Sequence, residues 1–304
     1  MLKLLLNISD IKYIHIEAST YCNARCPQCP RNFCGWNILD YPEQHLSIDK
    51  LKHIAKQLPK NVHGLFNGNY GDPMMNPNIV ELTKLFKACS ITTNGSIGKL
   101  ETFEKLAQQD VQITFSIDGL KDTNHIYRQD VVWERVIERA ETFIQAGGIA
   151  HWKFVIFKHN MHQVKRADDF SKRLGFASFE VVNENRNHGP ILDNAGKEIG
   201  WLEPHDRQVQ SYDYDINKEL EILKNPYDLQ NDYSDAIISC ELKQENNIYV
   251  NASGEVLPCC YHGVNQHIHP TGETLQEQLD SFHWLEQTWG KKDCNETCYN
   301  SCKR

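Results

Sequence analysis

Cys22, Cys26 and Cys29 fall within one short loop, directly after the first strand-like run of the chain, and three thiols so close together constrain the surrounding fold to serve a metal. Thiolates are soft ligands that suit zinc or an iron-sulfur cluster. With three and then two residues between them, the cysteines of one loop can wrap three corners of a cubane and leave the fourth corner open. An open metal position is what lets a further ligand bind. Cys34 is near enough in sequence to complete the set, so a structural zinc loop closed by Cys34 is the competing reading.

The other cysteines fit metal ligation better than a disulfide scaffold. There are 11 in all, an odd number, and they cluster. The start of the chain, Met1 to Leu6, is interrupted by Asn7 and Asp10 and lacks a small-residue cleavage site, so it reads poorly as a signal peptide. Clustered thiols without such a signal point to metal ligation in a reducing cytoplasm. A formal net charge of -8 with no Lys/Arg block argues against nucleic acid as a partner, and no apolar stretch is long enough to span a membrane. With 304 residues, 40% hydrophobic and 24% charged, the chain has the composition and size of a soluble protein with a well-buried core.

From Tyr13 to about Phe179, short β-rich runs alternate with helical periodicities, the pattern of βαβ units around a parallel sheet. Six units can be read. The strand runs are Tyr13 to Glu17, Val62 to Phe66, Cys89 to Thr93, Val111 to Ile117, Trp152 to Phe157 and Ser178 to Val182. Helices are predicted from Ser47 through Leu51, Ile54, Ala55 and Leu58, over Asn78 to Phe86, and over Ile97 to Gln108. Another follows the face Trp133, Val136, Ile137, Ala140 and Ile144 up to Gly147-Gly148, and the last runs from about Gln163 to Leu174. Functional loops then belong at the C-terminal ends of the strands. Periodicity alone also allows a doubly wound sheet. Between Asn183 and about Ser239 the chain turns polar, with a helix readable only near Asp215 to Leu223.

The CxxxCxxC loop after a first β-strand resembles the cluster loop of the radical S-adenosylmethionine (radical SAM) family, with Gln28 where an aromatic residue is usual. The resemblance implies an α/β fold, a partial (β/α)6 barrel. It also implies a 4Fe-4S cluster on Cys22, Cys26 and Cys29 whose free iron is chelated by the amino and carboxylate groups of S-adenosylmethionine. Reductive cleavage then gives a 5'-deoxyadenosyl radical that takes a hydrogen atom from the substrate, the electron coming from a donor such as flavodoxin or ferredoxin. Further motifs follow at the strand ends. Tyr70-Gly71-Asp72-Pro73 resembles the family's Gly-Gly-Glu-Pro, which holds the cofactor's amino group, with Asp72 in place of Glu. Thr93-Asn94-Gly95 resembles its Thr-Asn-Gly turn. The resemblance places Ser116 and Asp118 toward the ribose, Arg128 toward a carboxylate of cofactor or substrate, with a surface salt bridge as the alternative for Arg128, and the backbone from Val155 to Phe157 toward the adenine.

The last part of the chain holds Cys240, Cys259, Cys260, Cys294, Cys298 and Cys302. Cys240, Gly254 and Cys259 are spaced in a way that resembles the opening of the SPASM and Twitch extensions, with Ile248 to Val250 and Gly254 to Leu257 as a hairpin. This implies a second, auxiliary 4Fe-4S cluster on four of Cys240, Cys259, Cys294, Cys298 and Cys302, in the shorter Twitch form. Cys89 reads as a buried small residue, and Cys34 and Cys260 are candidate hydrogen-atom donors. The expected organisation is therefore a barrel over residues 1-182, a polar connecting segment over 183-239 and a small cysteine-rich α+β auxiliary-cluster domain over 240-304. The expected activity is hydrogen abstraction from a peptide or sugar-type substrate, leading to dehydrogenation, epimerisation or cross-linking. A non-catalytic, zinc-stapled binding protein is the alternative.

Overall fold

The computed structural model describes residues 6-36, 42-183, 189-205, 239-240, 244-264, 269-287 and 298. In chain order the elements are β1 (Tyr13–Ile16), α1 (Ile48–Ala55), β2 (His63–Asn67), α2 (Ile79–Thr83), β3 (Cys89–Thr93), α3 (Leu100–Ala107), β4 (Val111–Ser116), α4 (Asn124–Tyr127), α5 (Trp133–Gln145), β5 (Ile149–Ile156), α6 (Val164–Leu174) and β6 (Ser178–Asn183). They are followed by β7 (Gly189–Leu192), β8 (Glu198–Leu202), β9 (Asn247–Val250), β10 (Val256–Leu257), α7 (Leu275–Asp280) and α8 (His283–Gln287).

Strands β1 to β6 lie side by side in the order of the chain, and every neighbouring pair is parallel. A doubly wound sheet must reverse its strand order at a switch point, and this sheet has no reversal. Right-handed crossovers that always step in one direction put their helices on one face and curl the sheet. The architecture is therefore the partial (β/α)6 barrel, and the doubly wound alternative falls. Register is held by a row of apolar residues across four strands, Phe66, Ile91, Ile113 and Ala150, all essentially buried. A one-residue slip would turn that row to the opposite face.

Local chemistry fixes the helices. Ser47 caps α1 by accepting the Lys50 N–H, and α1 buries Leu51 and Ile54. Along α5 the core face is Val136, Ile137, Ala140 and Phe143; Phe143, more than the expected Ile144, fills the interior. The helix stops where Gly147 takes φ +94°, and α6 stops in the same way at Gly175 with φ +90°. Helix α2 is shorter than expected. The Thr83 hydroxyl turns back onto the carbonyls of Ile79 and Val80, and the amides of Leu85 and Phe86 bond three residues back, tightening the chain out of the α-helix.

Two features depart from the sequence reading. The hairpin expected in an appended domain joins the barrel sheet: β9 pairs in parallel with β1, Tyr13 opposite Asn247 through Ile16 opposite Val250, and β10 pairs antiparallel with β9. The polar segment also begins with the hairpin β7–β8, turned by Asp193, whose carboxylate accepts the amides of Ala195 and Lys197 on either side of Gly196 at φ +75°. The Leu192 amide bonds to the Cys34 carbonyl at 2.8 Å, which ties β7 to the cysteine loop. The helix expected near Asp215 to Leu223 lies outside the described residues. Among the described residues no helix is long and apolar enough to cross a membrane.

Trp152 is the largest fully buried side chain. It packs against Phe170, Phe176 and Phe179 and donates its indole N–H to the Ile117 carbonyl at 2.8 Å. Trp152→Ala is expected to lower the unfolding free energy by about 3–5 kcal/mol, the cost of a large core truncation. Trp152→Phe, which keeps the aromatic packing but orphans that carbonyl, should cost about 1–3 kcal/mol. Urea unfolding of both variants checks the order; a Trp152→Phe variant as stable as the native chain would mean that the hydrogen bond carries no separate weight.

Candidate active site

The loops after β1, β2, β3, β4 and β5 meet at the C-terminal end of the sheet. The first holds Cys22, Cys26 and Cys29 in a turn closed by the Cys29 amide on the Cys26 carbonyl and by the Asn32 amide on the Cys29 carbonyl. All three cysteines are free thiols. Burial pushes every one of them upward, Cys29 to about 11, and Cys22 is pushed further by the nearby Asp72 and Cys26. Bare thiolates are therefore disfavoured here, and only a cation brought among them would keep them deprotonated. Donors already face the sulfurs. The Ala24 amide lies 3.4 Å from Cys22 Sγ, Asn94 Nδ2 is 3.9 Å from the same atom, and Arg128 Nη1 is 3.6 Å from Cys26 Sγ. Soft sulfurs, mutual proximity and N–H donors together fit an iron-sulfur cluster. Among the described residues no three His, Cys, Asp or Glu side chains meet at the distances of a single bound metal ion.

Glu17, which follows β1, is the functional residue that the sequence reading missed. Its carboxylate is fully buried and accepts the amides of Asn69 at 2.7 Å, Gly71 at 3.1 Å and Tyr70 at 3.3 Å, and the Tyr249 hydroxyl at 3.1 Å. Burial raises its carboxyl to about 7, against the pull of these donors. Two glycines make the enclosure close. A Cβ on Gly68 would stand 1.9 Å from the Gly71 carbonyl, and one on Gly71 would stand 2.0 Å from the Ser19 carbonyl. A signal existed in the sequence, an acidic residue directly after the Ile14 and Ile16 of the first strand run, but its Tyr249 partner is 232 positions away.

Asp72 is buried, with its carboxyl raised by that burial. It accepts the Met74 amide at 2.9 Å, the Thr93 hydroxyl at 2.8 Å and the Asn94 amide at 2.8 Å. The side chain expected at a cofactor amino group thus fastens the end of β3 to the β2 loop. Asn94 continues the linkage, donating to Asn23 at 3.0 Å and accepting from Ser96 at 2.9 Å. Gly95, at φ +75°, carries the tight turn expected of Asn94-Gly95.

Ser116 ends β4 and is buried beside Asp118. Both Asp118 oxygens are engaged, one by the Val155 amide at 2.6 Å and the other by Arg128 Nε at 2.5 Å. Arg128 spans Asp118 and Cys26, and although burial pulls its guanidinium down, the Asp118 carboxylate holds it well above its ordinary value. The backbone of Val155 and Phe157 is likewise committed. Asn160 donates to the Val155 carbonyl at 2.9 Å and accepts the Phe157 amide at 2.7 Å. The Phe157 ring stacks on His159 at 5.4 Å.

Farther along, Cys34 sits in a turn at φ +51° between the paired Phe33 and Trp36. Cys260 lies at the β2 loop, where Asn69 donates to its carbonyl at 3.3 Å, and its thiol is raised by burial. Burial also raises the Cys259 thiol, with Cys260 and Cys240 close enough to add to the effect. Cys298 Sγ lies 3.6 Å from Nε2 of the buried His262. Cys294 and Cys302 lie outside the described residues.

Comparison with solved structures gives the same fold. SuiB of Streptococcus suis bound to S-adenosylmethionine superposes with a TM-score of 0.58 at 19% identity, covering 90% of this chain and 65% of SuiB. SuiB bound to its precursor peptide SuiA gives 0.55 at 19% identity, with 96% and 66% covered. The protein anSMEcpe with bound AdoMet and the Cp18Cys peptide gives 0.56 at 16% identity, with 97% and 89% covered. In sequence, the chain is 25% identical over 121 residues, 38% of its length, to a tungsten-containing aldehyde ferredoxin oxidoreductase cofactor-modifying protein of Pyrococcus furiosus. It is 25% identical over 132 residues, 40% of its length, to an uncharacterized protein of Methanocaldococcus jannaschii. The matched stretches span 33% and 43% of those two relatives, less than half of each. Residues 16-170, half of the chain and the run from the end of β1 into α6, match the family model of the Radical SAM superfamily, and the chain belongs to that superfamily.

Proposed function

We propose that the chain reductively cleaves S-adenosylmethionine and abstracts a hydrogen atom from a peptide or sugar-type substrate. The observation that carries this reading is the set of thiols of Cys22, Cys26 and Cys29, Cys26 buried and the other two half-buried, gathered at the strand ends beneath N–H donors from Ala24, Asn94 and Arg128. A 4Fe-4S cluster at these thiols would supply the electron that splits the sulfonium and so generates a 5'-deoxyadenosyl radical. The chain's own residues would do the rest. Arg128 places a positive charge against Cys26 and is itself held by Asp118. The β2 loop, at Tyr70, Gly71 and Asp72, receives the cofactor's amino group; Thr93, Asn94 and Ser116 line its approach. In the arrangement described, Asp118, Val155 and Phe157 contribute by setting the β4 and β5 ends. A closed mouth excludes water from a radical that would otherwise attack the protein or be quenched.

The peptide reading is supported by the neighbours crystallised with SuiA and Cp18Cys, which are peptides. The C-terminal segment, residues 240-304, fits a Twitch-type auxiliary-cluster region: Cys240 and Cys259 lie close to one another, and Cys298 is the third described member of the candidate ligand set. A small electron-transfer protein of the flavodoxin or ferredoxin type would reduce the clusters.

Two experiments test this reading. Anaerobic reconstitution of the native chain should give iron and acid-labile sulfide, and dithionite with S-adenosylmethionine should then release 5'-deoxyadenosine. A Cys22→Ala, Cys26→Ala, Cys29→Ala triple variant should release none while keeping iron at the C-terminal site. Uptake of zinc in place of iron by the native chain would sink the enzyme reading in favour of a stapled binding protein. Once a substrate is known, Cys34→Ala and Cys260→Ala separate the hydrogen-donor roles. Loss of the final product with 5'-deoxyadenosine still formed marks the donor, and full turnover in both variants removes the idea.

A further inference from the structure

Three consecutive amides, those of Asn69, Tyr70 and Gly71, all point at the one carboxylate of Glu17. Successive N–H groups turned to one side form an anion-binding concavity. Here the anion is built into the protein. In a planar trans peptide the C=O points opposite to the N–H, so fixing the Asn69 and Tyr70 amides on Glu17 turns the carbonyls of Gly68 and Asn69 away from it. Those carbonyls are acceptors of the kind an ammonium group needs. With Asp72 engaged by Thr93, Asn94 and Met74, they become the acceptors on which recognition of an amino group most depends.

The fourth group on Glu17 comes from elsewhere in the chain. Tyr249 of β9 donates its hydroxyl to Glu17 at 3.1 Å, and its ring meets His15 edge-on at 5.0 Å. His15 in turn bonds the Asn67 carbonyl at the start of the same loop. Burial and the neighbouring Glu17 raise the Tyr249 phenol well above its ordinary value, which keeps it a donor. Tyr249 also packs with Leu257, Phe282 and Leu285, a small apolar group apart from the barrel core. A further contact, from Asn69 Nδ2 to the Cys260 carbonyl, reaches the same loop from beyond β10.

We propose that Glu17 and Tyr249 are positioning residues through which the C-terminal hairpin sets the shape of the β2 loop and thereby the affinity for S-adenosylmethionine. This rests on the reading of that loop as the site of the cofactor's amino group. The consequence is a coupling: whatever orders or loosens the segment around β9, β10 and the C-terminal cysteines changes how tightly the barrel holds its cosubstrate, although no residue of that segment need touch it.

The test uses the full chain, with its clusters reconstituted, as the native protein, Tyr249→Phe and Glu17→Gln. Hydrogen exchange reads the amides of Asn69 to Gly71, equilibrium dialysis reads S-adenosylmethionine binding, and iron content guards against loss of the cluster. Tyr249→Phe removes one hydroxyl and keeps the ring, so the fold should stand. Its loop amides should exchange about ten-fold faster and its affinity should fall about five-fold, with 5'-deoxyadenosine formation at saturating cosubstrate nearly unchanged. Glu17→Gln, which sets an NH2 against the amides, should weaken binding more strongly. Tyr249→Phe with native exchange and native affinity would overturn the coupling alone. A native chain that takes up iron yet binds no S-adenosylmethionine would overturn the reading of the loop, and the inference with it.

Discussion

The site depends on three buried carboxylates, each of which ties the end of one strand to the next piece of chain. Glu17, after β1, gathers the amides of the β2 loop. Asp72, in that loop, gathers Thr93 and Asn94 at the end of β3. Asp118, after β4, takes the Val155 amide on β5 and, through Arg128, returns to Cys26 in the first loop. Asn76 adds a tie of the same kind without charge, donating to the carbonyls of Ala18 and Leu46. Parallel strands lend rigidity to their own length only. The loops beyond them gain theirs from this ring of acceptors.

A buried carboxylate is an expensive fastener. Its desolvation costs several kcal/mol and is offset only when nearly all its lone pairs are matched. Glu17 meets that condition with four donor groups and Asp72 with three, none of them formally charged, whereas Asp118 has a guanidinium. The difference has a local reason. Arg128 also lies beside Cys26, where its positive charge favours the thiolate that burial makes unfavourable. One residue therefore serves the fold and the metal-facing loop together, and a lysine with a single point charge could not make both contacts from the same fork.

Much of this was legible in the sequence, but unevenly. The six strands and the cysteine loop could be read because strand periodicity and thiol spacing are local properties. Tyr70-Gly71-Asp72 and Thr93-Asn94-Gly95 were placed correctly at strand ends. What Asp72 and Asp118 bind could not be read, because a carboxylate followed by a turn looks the same whether it faces a ligand or the neighbouring strand. β9 was expected over Ile248 to Val250 and runs from Asn247, yet nothing in Ile248-Tyr249-Val250 says that it lies parallel to β1. Glu17 was passed over for the same reason: its meaning lies in amides 52 to 54 positions away and a hydroxyl 232 positions away.

The division between sheet and mouth follows from these two kinds of force. Within the sheet, Phe66, Ile91, Ile113 and Trp152 are held by close packing, and a lost contact there is paid as stability of the whole domain. At the mouth, Glu17, Asp72 and Asn94 hold backbone groups in place by directional bonds, and a lost bond there shifts a loop by a fraction of an ångström while the strands beneath stay paired. Asymmetry follows at the edges too. The β1 edge is covered by β9, and through Tyr249 that cover reaches the innermost acceptor of the site. The C-terminal hairpin thus closes the barrel's first edge and, through Tyr249 and Glu17, reaches the loop after β2, so the same short strand is tied both to the sheet and to the backbone at its C-terminal end.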